Sequence, residues 1–313
     1  MRKYVAVDVG GTKIAVGIGE ESGGFLGTSV LSTDTAWSQD KVLDHIAETV
    51  NQLVSETGVE RGQLMRLGLG SPGPLDGPRL LETSNLHSWM GLNWETGLAS
   101  RLNLPVSVQN DATAAGLGEW LYGAGRGTEN CIYVTVSTGI GAGIVASGRL
   151  YAGSRGNAGE FGHIVMDPSG PECPAGHKGC LESMASGTAI RRQGQAKQPQ
   201  SAYLTRLEAV ETKDVFDGYE AGDAVCRAII EEAADRLGLG LSYLIDLFNP
   251  EKIILGGGVA THAPATYRER VWNAATLWSL KTMAAVVELV PAQLGGDSGL
   301  KGALAVAVTA HRE

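Results

Sequence analysis

Along this chain, short continuous apolar runs alternate with longer stretches in which apolar residues recur at helical spacing, a pattern of strands covered by helices. Tyr4 to Val9 predicts a buried strand, Gly10-Gly11-Thr12-Lys13 a tight turn, and Ile14 to Ile18 the returning strand. From Gln39 to Ser55, Val42, Leu43, Ile46, Val50, Leu53 and Val54 form the stripe of an amphipathic helix that should cover a sheet. Leu67 to Gly70 predicts a further strand and Ser71-Pro72-Gly73-Pro74 a turn. Val106 to Val108 predicts a strand that delivers Gln109-Asn110-Asp111 to the helix beginning at Ala112. Asp223 is placed to cap a long helix reaching Phe248, and Lys252 to Leu255 predicts the strand that carries Gly256-Gly257-Gly258. Small apolar residues from Gly299 to Ala310 predict a closing helix packed back on the first domain. Arg191 to Gln200 reads as a polar exposed connection. Trp89 and Trp94 are expected in a loop-like region, suited either to a sugar face or to core packing.

One local pattern occurs twice. Ile132 to Val145 repeats strand, glycine turn and returning strand, with Ser137-Thr138-Gly139-Ile140-Gly141-Ala142-Gly143 as the turn; Gly10 then falls on Gly139, Thr12 on Gly141 and Asp8 on Ser137. Turns of this kind expose backbone N–H groups that can approach a phosphate, and Thr12 and Lys13 add a hydroxyl and a cation. Asp8 is placed to hold a magnesium ion through water. Each copy alone is also compatible with an ordinary hairpin; together they suggest a duplicated fold with a nucleotide between its halves. Only the first copy keeps an acid, so the metal is expected nearer that half.

The stretch from Asn157 to Gly187 is too rich in chemistry for core. Glu160 and His163 are spaced to share one side of a tight turn, where a carboxylate and an imidazole could grip adjacent sugar hydroxyls. Cys173 and Cys180 join His163 as three ligands of the kind zinc takes, one short of a structural set of four. Asp111, at a strand end, is either a helix cap or a general base, or both.

Composition narrows the class. A chain of 313 residues with 19% charged and 43% hydrophobic content is that of an ordinary globular protein large enough for two domains. A net charge of -9 argues against nucleic-acid binding. Four irregularly spaced cysteines do not make a disulfide framework, and no run of apolar residues is long enough to span a membrane. No signal peptide is read before the first strand, so the expected compartment is the cytoplasm.

Several motifs in order resemble the ROK family of repressors, open reading frames and sugar kinases. They are Asp8-Val9-Gly10-Gly11-Thr12-Lys13, Asn110-Asp111-Ala112-Thr113-Ala114-Ala115, Thr138-Gly139-Ile140-Gly141-Ala142-Gly143, Gly159-Glu160-Phe161-Gly162-His163 through Cys180-Leu181-Glu182, Ile254-Leu255-Gly256-Gly257-Gly258, and Gly299-Leu300-Lys301-Gly302-Ala303. The resemblance implies an α/β fold of the actin-like ATPase (ribonuclease H-like) type, duplicated, with two domains around a cleft. Expected are a small domain of residues 1–109 plus 297–313 and a large one of 110–296 carrying the metal-type loop 157–187. It further implies Asp111 as the base on a sugar hydroxyl, with Gly73, Asn85, Asn110, Glu160, His163 and Glu182 holding the sugar. Asp8, Gly10, Gly11, Thr12, Lys13, Thr138, Gly139, Gly257 and Gly258 would hold ATP and magnesium. Family members with zinc show Cys-x-Cys-Gly-x-x-Gly-Cys, whereas Ala175 stands here at the middle cysteine, so His177, a water or no metal at all could complete the loop.

The expected activity is ATP-dependent phosphorylation of the 6-hydroxyl of glucose, with an N-acetylmannosamine or N-acetylglucosamine kinase as the alternative. A non-catalytic sugar sensor or transcriptional regulator is the reading from another class. It is disfavoured because Asp111 is present and only Met1 to Lys3 precede the first strand. The resemblance also implies a homodimer or a dimer of dimers, with neither nucleic acid nor membrane as partner.

Overall fold

The computed structural model describes residues 2–81, 86–173 and 175–312. The chain forms two compact units, Met1–Thr128 with Gly143–Gly159 and Gln293–Glu313, and Glu129–Ala142 with Glu160–Ala292. Residues 110–128, 143–159 and 293–296, expected in the large domain, fall in the first unit.

In the first unit, β1 (Lys3–Val9), β2 (Lys13–Glu20) and β3 (Phe25–Ser32) form an antiparallel meander. After α1 (Gln39–Thr57), β4 (Leu64–Ser71) pairs parallel with β1; the short hairpin β5 (Leu75–Asp76) and β6 (Arg79–Leu80) and helix α2 (Trp94–Leu102) precede β7 (Val106–Asn110), parallel to β4. The sheet order is β3-β2-β1-β4-β7. Successive side chains of a strand point to opposite faces. Accordingly Val5, Val7 and Val9 enter the core with Val42, Leu43 and Ile46 of α1, whereas Tyr4 and Ala6 meet a second core on the other face. Helix α1 starts where Ser38 Oγ accepts the Lys41 N–H and stops at Gly58, whose φ of 66° is left-handed. Trp89 and Trp94 are fully buried and meet edge to face at 6.0 Å, so the core reading of these tryptophans applies and the sugar-face reading does not. Helix α3 (Asp111–Tyr122) closes the continuous part of the unit.

The second unit opens with β8 (Cys131–Val136), and β9 (Ile140–Ala146) carries the chain back into the first unit, where β10 (Arg149–Leu150) follows. From Glu160 on come α4 (Leu181–Ala185), α5 (Gly187–Lys197), α6 (Thr212–Glu220), α7 (Ala224–Phe248), β11 (Lys252–Gly256), α8 (Gly257–His262), α9 (Ala265–Trp278), α10 (Lys281–Ala284) and β12 (Glu288–Pro291). The second sheet runs β10-β9-β8-β11-β12, with β11 parallel to β8 and β12 parallel to β11. Strand for strand this repeats the first sheet, so the duplication seen in the two glycine turns extends to topology.

The polar connection expected over Arg191 to Gln200 is instead mostly helix. Ser186 Oγ caps α5 by accepting the Ala189 N–H, Ala189 and Ile190 are buried, and arginine and glutamine are good helix formers. Asp223 does cap α7, accepting the Val225 and Cys226 N–H groups at 3.0 and 2.9 Å. The last helix, α11 (Ser298–Arg312), returns to the first unit, where Ala303, Leu304, Ala307 and Val308 complete the core around Tyr4 and Ala6. Its close approach requires Gly68, since a Cβ there would lie 2.1 Å from the Ala303 carbonyl oxygen. No helix among the described residues is long and apolar enough to cross a membrane.

Candidate active site

Each unit assembles its own set of the residues singled out by sequence. In the first, the carboxyl ends of three parallel strands lie in register, with Asp8 opposite Gly70, Gly70 opposite Gln109 and Ser71 opposite Asn110. Ligands of open α/β sheets bind at such strand ends. Asn110 is the cap of α3, its Oδ1 accepting the N–H groups of Ala112 at 2.9 Å and Thr113 at 3.4 Å. Asp111 takes the first helical position and also accepts the Ala112 N–H, at 2.8 Å. Capping thus falls mainly to Asn110, and Asp111 sits exposed at the helix start.

Gly70 separates the two acids. A Cβ built on it would lie 3.6 Å from Asp8 Oδ1 and 4.0 Å from Asp111 Cα. Burial, reinforced by the charge of Asp111 and opposed by Lys13, raises the Asp8 carboxyl to about 6. The start of α11 covers the same group, because a Cβ on Gly299 would meet Asp8 Oδ2 at 2.1 Å. The turn beside it is tight, Gly10 donating its N–H to the Lys13 carbonyl at 2.9 Å and Thr33 Oγ1 donating to the Gly10 carbonyl. Gly11, Thr12 and Lys13 are exposed on that turn, open to a phosphate. Gly73 faces the amide of Asn110, with 2.8 Å between a Cβ built there and Asn110 Nδ2. Asn85 lies outside the described residues.

In the second unit the matching turn is held from below. Gly187 and Thr188, at the start of α5, donate their N–H groups to the carbonyls of Ser137 and Thr138 at 2.8 and 3.3 Å. Thr138 is exposed, and Gly257 packs against the end of β8 with a left-handed φ of 85°, its missing Cβ leaving room for the Val136 carbonyl. Gly258 lies next to Ser137, 3.7 Å from its Oγ to a built Cβ.

Glu182 binds this turn directly. Its Oε2 accepts the Ile140 N–H at 2.9 Å and occupies the space where a Gly139 side chain would stand. Sequence spacing alone gives no sign of that contact. The turn Phe161–His163 packs on the same strand, because Gly162 lies where any Cβ would come within 2.2 Å of the Ile140 carbonyl oxygen. Glu160 Oε2 and His163 Nε2 stand 3.9 Å apart. The spacing therefore does bring these two side chains together.

The other ring nitrogen of His163, Nδ1, is buried without a hydrogen-bond partner. The ligand atoms of His163, Cys173 and Cys180 all lie within 4.8 Å of one another. An orphaned buried nitrogen beside two buried thiols is a donor set that fits zinc. Without a metal, burial raises the Cys180 thiol, and the neighbouring Cys173 adds to the effect. His177 is exposed, its ring centroid 6.3 Å from that of His163, and it is not in the three-ligand group. The turn that presents Cys173 is instead closed by the His177 backbone, whose carbonyl accepts the Cys173 N–H at 2.7 Å.

A further carboxylate, Glu119, escaped the sequence reading. It is fully buried in α3 and accepts the N–H groups of Ala124, Gln293 and Leu294 at 2.9, 2.9 and 2.8 Å. A glutamate within a helix of small apolar residues was the available signal.

With this geometry in hand, the comparison with known proteins is specific. The ROK family model matches residues 4–310. This chain belongs to the ROK family. The glucokinase of Thermotoga maritima is 33% identical over 97% of this chain and 96% of its own length. The N-acetylmannosamine kinase of Yersinia pestis is 34% identical, with 97% of each chain covered. Among solved structures, the ROK hexokinase of Thermus thermophilus superposes with a TM-score of 0.88 at 36% identity, over 99% of each chain. The ROK glucokinase of Streptomyces griseus, solved with glucose and AMPPNP, gives 0.72 at 33% identity over 98% of this chain and 99% of its own. The actin-like ATPase fold of the ROK family is therefore the fold of this chain.

Proposed function

We propose that this chain is an ATP-dependent hexose kinase that phosphorylates the 6-hydroxyl of glucose. The observation that carries the reading is the pair of acids across Gly70, with Asp111 exposed at the start of α3 and Asn110 taking over its capping duty. Asp111 then accepts the proton of the sugar hydroxyl as that oxygen attacks the γ-phosphorus; the bond to the β-phosphate oxygen breaks and ADP leaves. Such transfers depend on positioning and charge neutralisation more than on covalent chemistry. Asn110 through Nδ2, Gly73, Asn85, Glu160, His163 and Glu182 are assigned to the sugar hydroxyls. Gly10, Gly11, Thr12, Lys13, Thr138, Gly139, Gly257 and Gly258 are assigned to the nucleotide, and Asp8 to its magnesium ion, which when bound neutralises phosphate charge.

The glucokinase relatives, one of them solved with glucose and AMPPNP, support this choice of substrates. The equally similar N-acetylmannosamine kinase supports a second reading, an N-acetylhexosamine as the accepted sugar. Offering glucose, mannose, N-acetylmannosamine and N-acetylglucosamine in parallel with ATP decides between them. Preference for glucose is the expected result, preference for an acylated sugar moves the assignment to the second reading, and no turnover on any of them overturns both. We further assign the protein to the cytoplasm as a homodimer, a state supported by the exposed Leu247, Leu277 and Trp278 on α7 and α9.

Glu160→Gln is expected to raise the sugar KM roughly 10- to 100-fold, the effect of weakening hydrogen bonds to a charged acceptor, while the ATP KM stays within about twofold. An equal rise in both constants argues against Glu160 as a sugar ligand.

His163 through Nδ1, with Cys173 and Cys180, would hold a zinc ion, which when bound fixes the imidazole and leaves Nε2 for the sugar. Ala175 supplies no donor, so the set is three protein ligands and an open position. Metal analysis is expected to find about one zinc per chain, and Ala175→Cys to tighten its retention against a chelator about tenfold or more. Equal retention would mean that the fourth position is already filled by the protein.

A further inference from the structure

Between β10 and Glu160, residues 152–158 fold into a loop closed by its own backbone, Ala158 donating its N–H to the Ala152 carbonyl at 3.1 Å. The tip of this loop lies along β5, the strand that follows Gly73. There Asn157 uses its side-chain amide as a neighbouring strand would use a peptide group. Its Nδ2 donates to the Leu75 carbonyl at 2.6 Å, and its Oδ1 accepts the Leu75 N–H at 3.4 Å. Alongside, Gly77 donates its N–H to the Arg155 carbonyl at 3.4 Å, and the Arg155 guanidinium meets the Asp76 carboxylate at 3.5 Å.

These contacts are unequal. Arg155 and Asp76 are exposed, and surface ion pairs of this kind contribute little. Leu75 is buried, so backbone groups deprived of a partner there are costly to leave unpaired. The weight of the contact therefore rests on Asn157.

Both ends of this tie lead to residues assigned to the sugar. Gly73, two positions before Leu75, faces Asn110 Nδ2, and Glu160 follows Asn157 by three positions. We propose that Asn157 is a positioning residue for sugar recognition, fastening the loop that delivers Glu160 to the strand that continues from Gly73. It acts through backbone and does not touch the sugar. The inference rests on the hexose kinase reading above.

The test is steady-state kinetics of Asn157→Ala, which removes both hydrogen bonds. The sugar KM is expected to rise about tenfold, the size of effect that follows from losing one short hydrogen bond to a buried backbone group, with the ATP KM and kcat within about twofold of wild type. The preference for glucose over mannose should narrow as well, a change that a general loss of stability does not produce. Should the alanine variant fail to fold, Asn157→Asp carries the same test, since it keeps the size and the acceptor but has no donor for the Leu75 carbonyl. An unchanged sugar KM in the folded variant, or sugar and ATP constants rising together, overturns the inference while leaving the kinase reading intact. Wild-type protein without turnover on any hexose removes the kinase reading itself, and the positioning role with it.

Discussion

Asp111→Asn is expected to lower kcat about a thousandfold, within the range typical of losing a general base, while sugar affinity stays within a few-fold of wild type. The substitution is close to isosteric. An asparagine at 111 can still accept the Ala112 N–H, and Asn110 still caps α3, so the helix start keeps these hydrogen bonds while the basicity and the negative charge felt by Asp8 are lost. Calorimetric titration with glucose separates this outcome from a collapse of the site, because a collapse would abolish binding and turnover together. Near-normal turnover would place the base elsewhere in the chain.

Asp8→Asn is expected to stabilise the protein and disable it in the same step. Folding holds the Asp8 carboxyl near 6 against an ordinary value of 3.8, so the folded state binds this proton more tightly than the unfolded chain does. The resulting preference for folding is present in full below about pH 4 and is withdrawn as pH rises through 6. Above that, relative to acid conditions, the ionised group costs up to about 3 kcal/mol, from 1.36 kcal/mol for each pH unit. Removing the charge should therefore raise Tm by several degrees at pH 7 to 8 and change it little at pH 4. Activity should fall about a hundredfold, because the carboxylate assigned to magnesium is gone. In the wild type, kcat/KM, which reports the free enzyme, should decline as pH drops below about 6. A variant with lower Tm at pH 7 would show that the ionised Asp8 is stabilised by its surroundings after all.

Much of this architecture is legible in the sequence. The paired glycine turns announced the duplication because a strand, a tight turn and a returning strand leave a local imprint on sequence, and the two sheets repeat the same strand order. Asp8, Asn110, Asp111, Glu160 and His163 stood out for the same reason, each at a turn or strand end. The readings that failed concern choices made outside the local segment. Helix α5 was hidden by a polar composition, and only Ala189 and Ile190 reveal the face it buries. For Trp89 and Trp94 the local sequence leaves both a sugar face and the core open, and only their mutual packing decides for the core. Asn157 meets Leu75 across 82 positions and Glu119 meets Gln293 across 174, separations at which no periodicity or motif carries a signal.

The return of α11 to the first unit has a consequence for how the protein is made. Tyr4 and Ala6 are synthesised before any of the second unit, yet the partners that cover them, Ala303, Leu304, Ala307 and Val308, follow only after it. Until then one apolar face of the earliest sheet stands bare while all of the second unit is translated. A nascent chain in that state is a natural client for a chaperone at the ribosome exit. A ribosome that stalls before residue 298 would release a first unit lacking its closing helix, and such a product should be cleared rather than accumulate as a half-working enzyme.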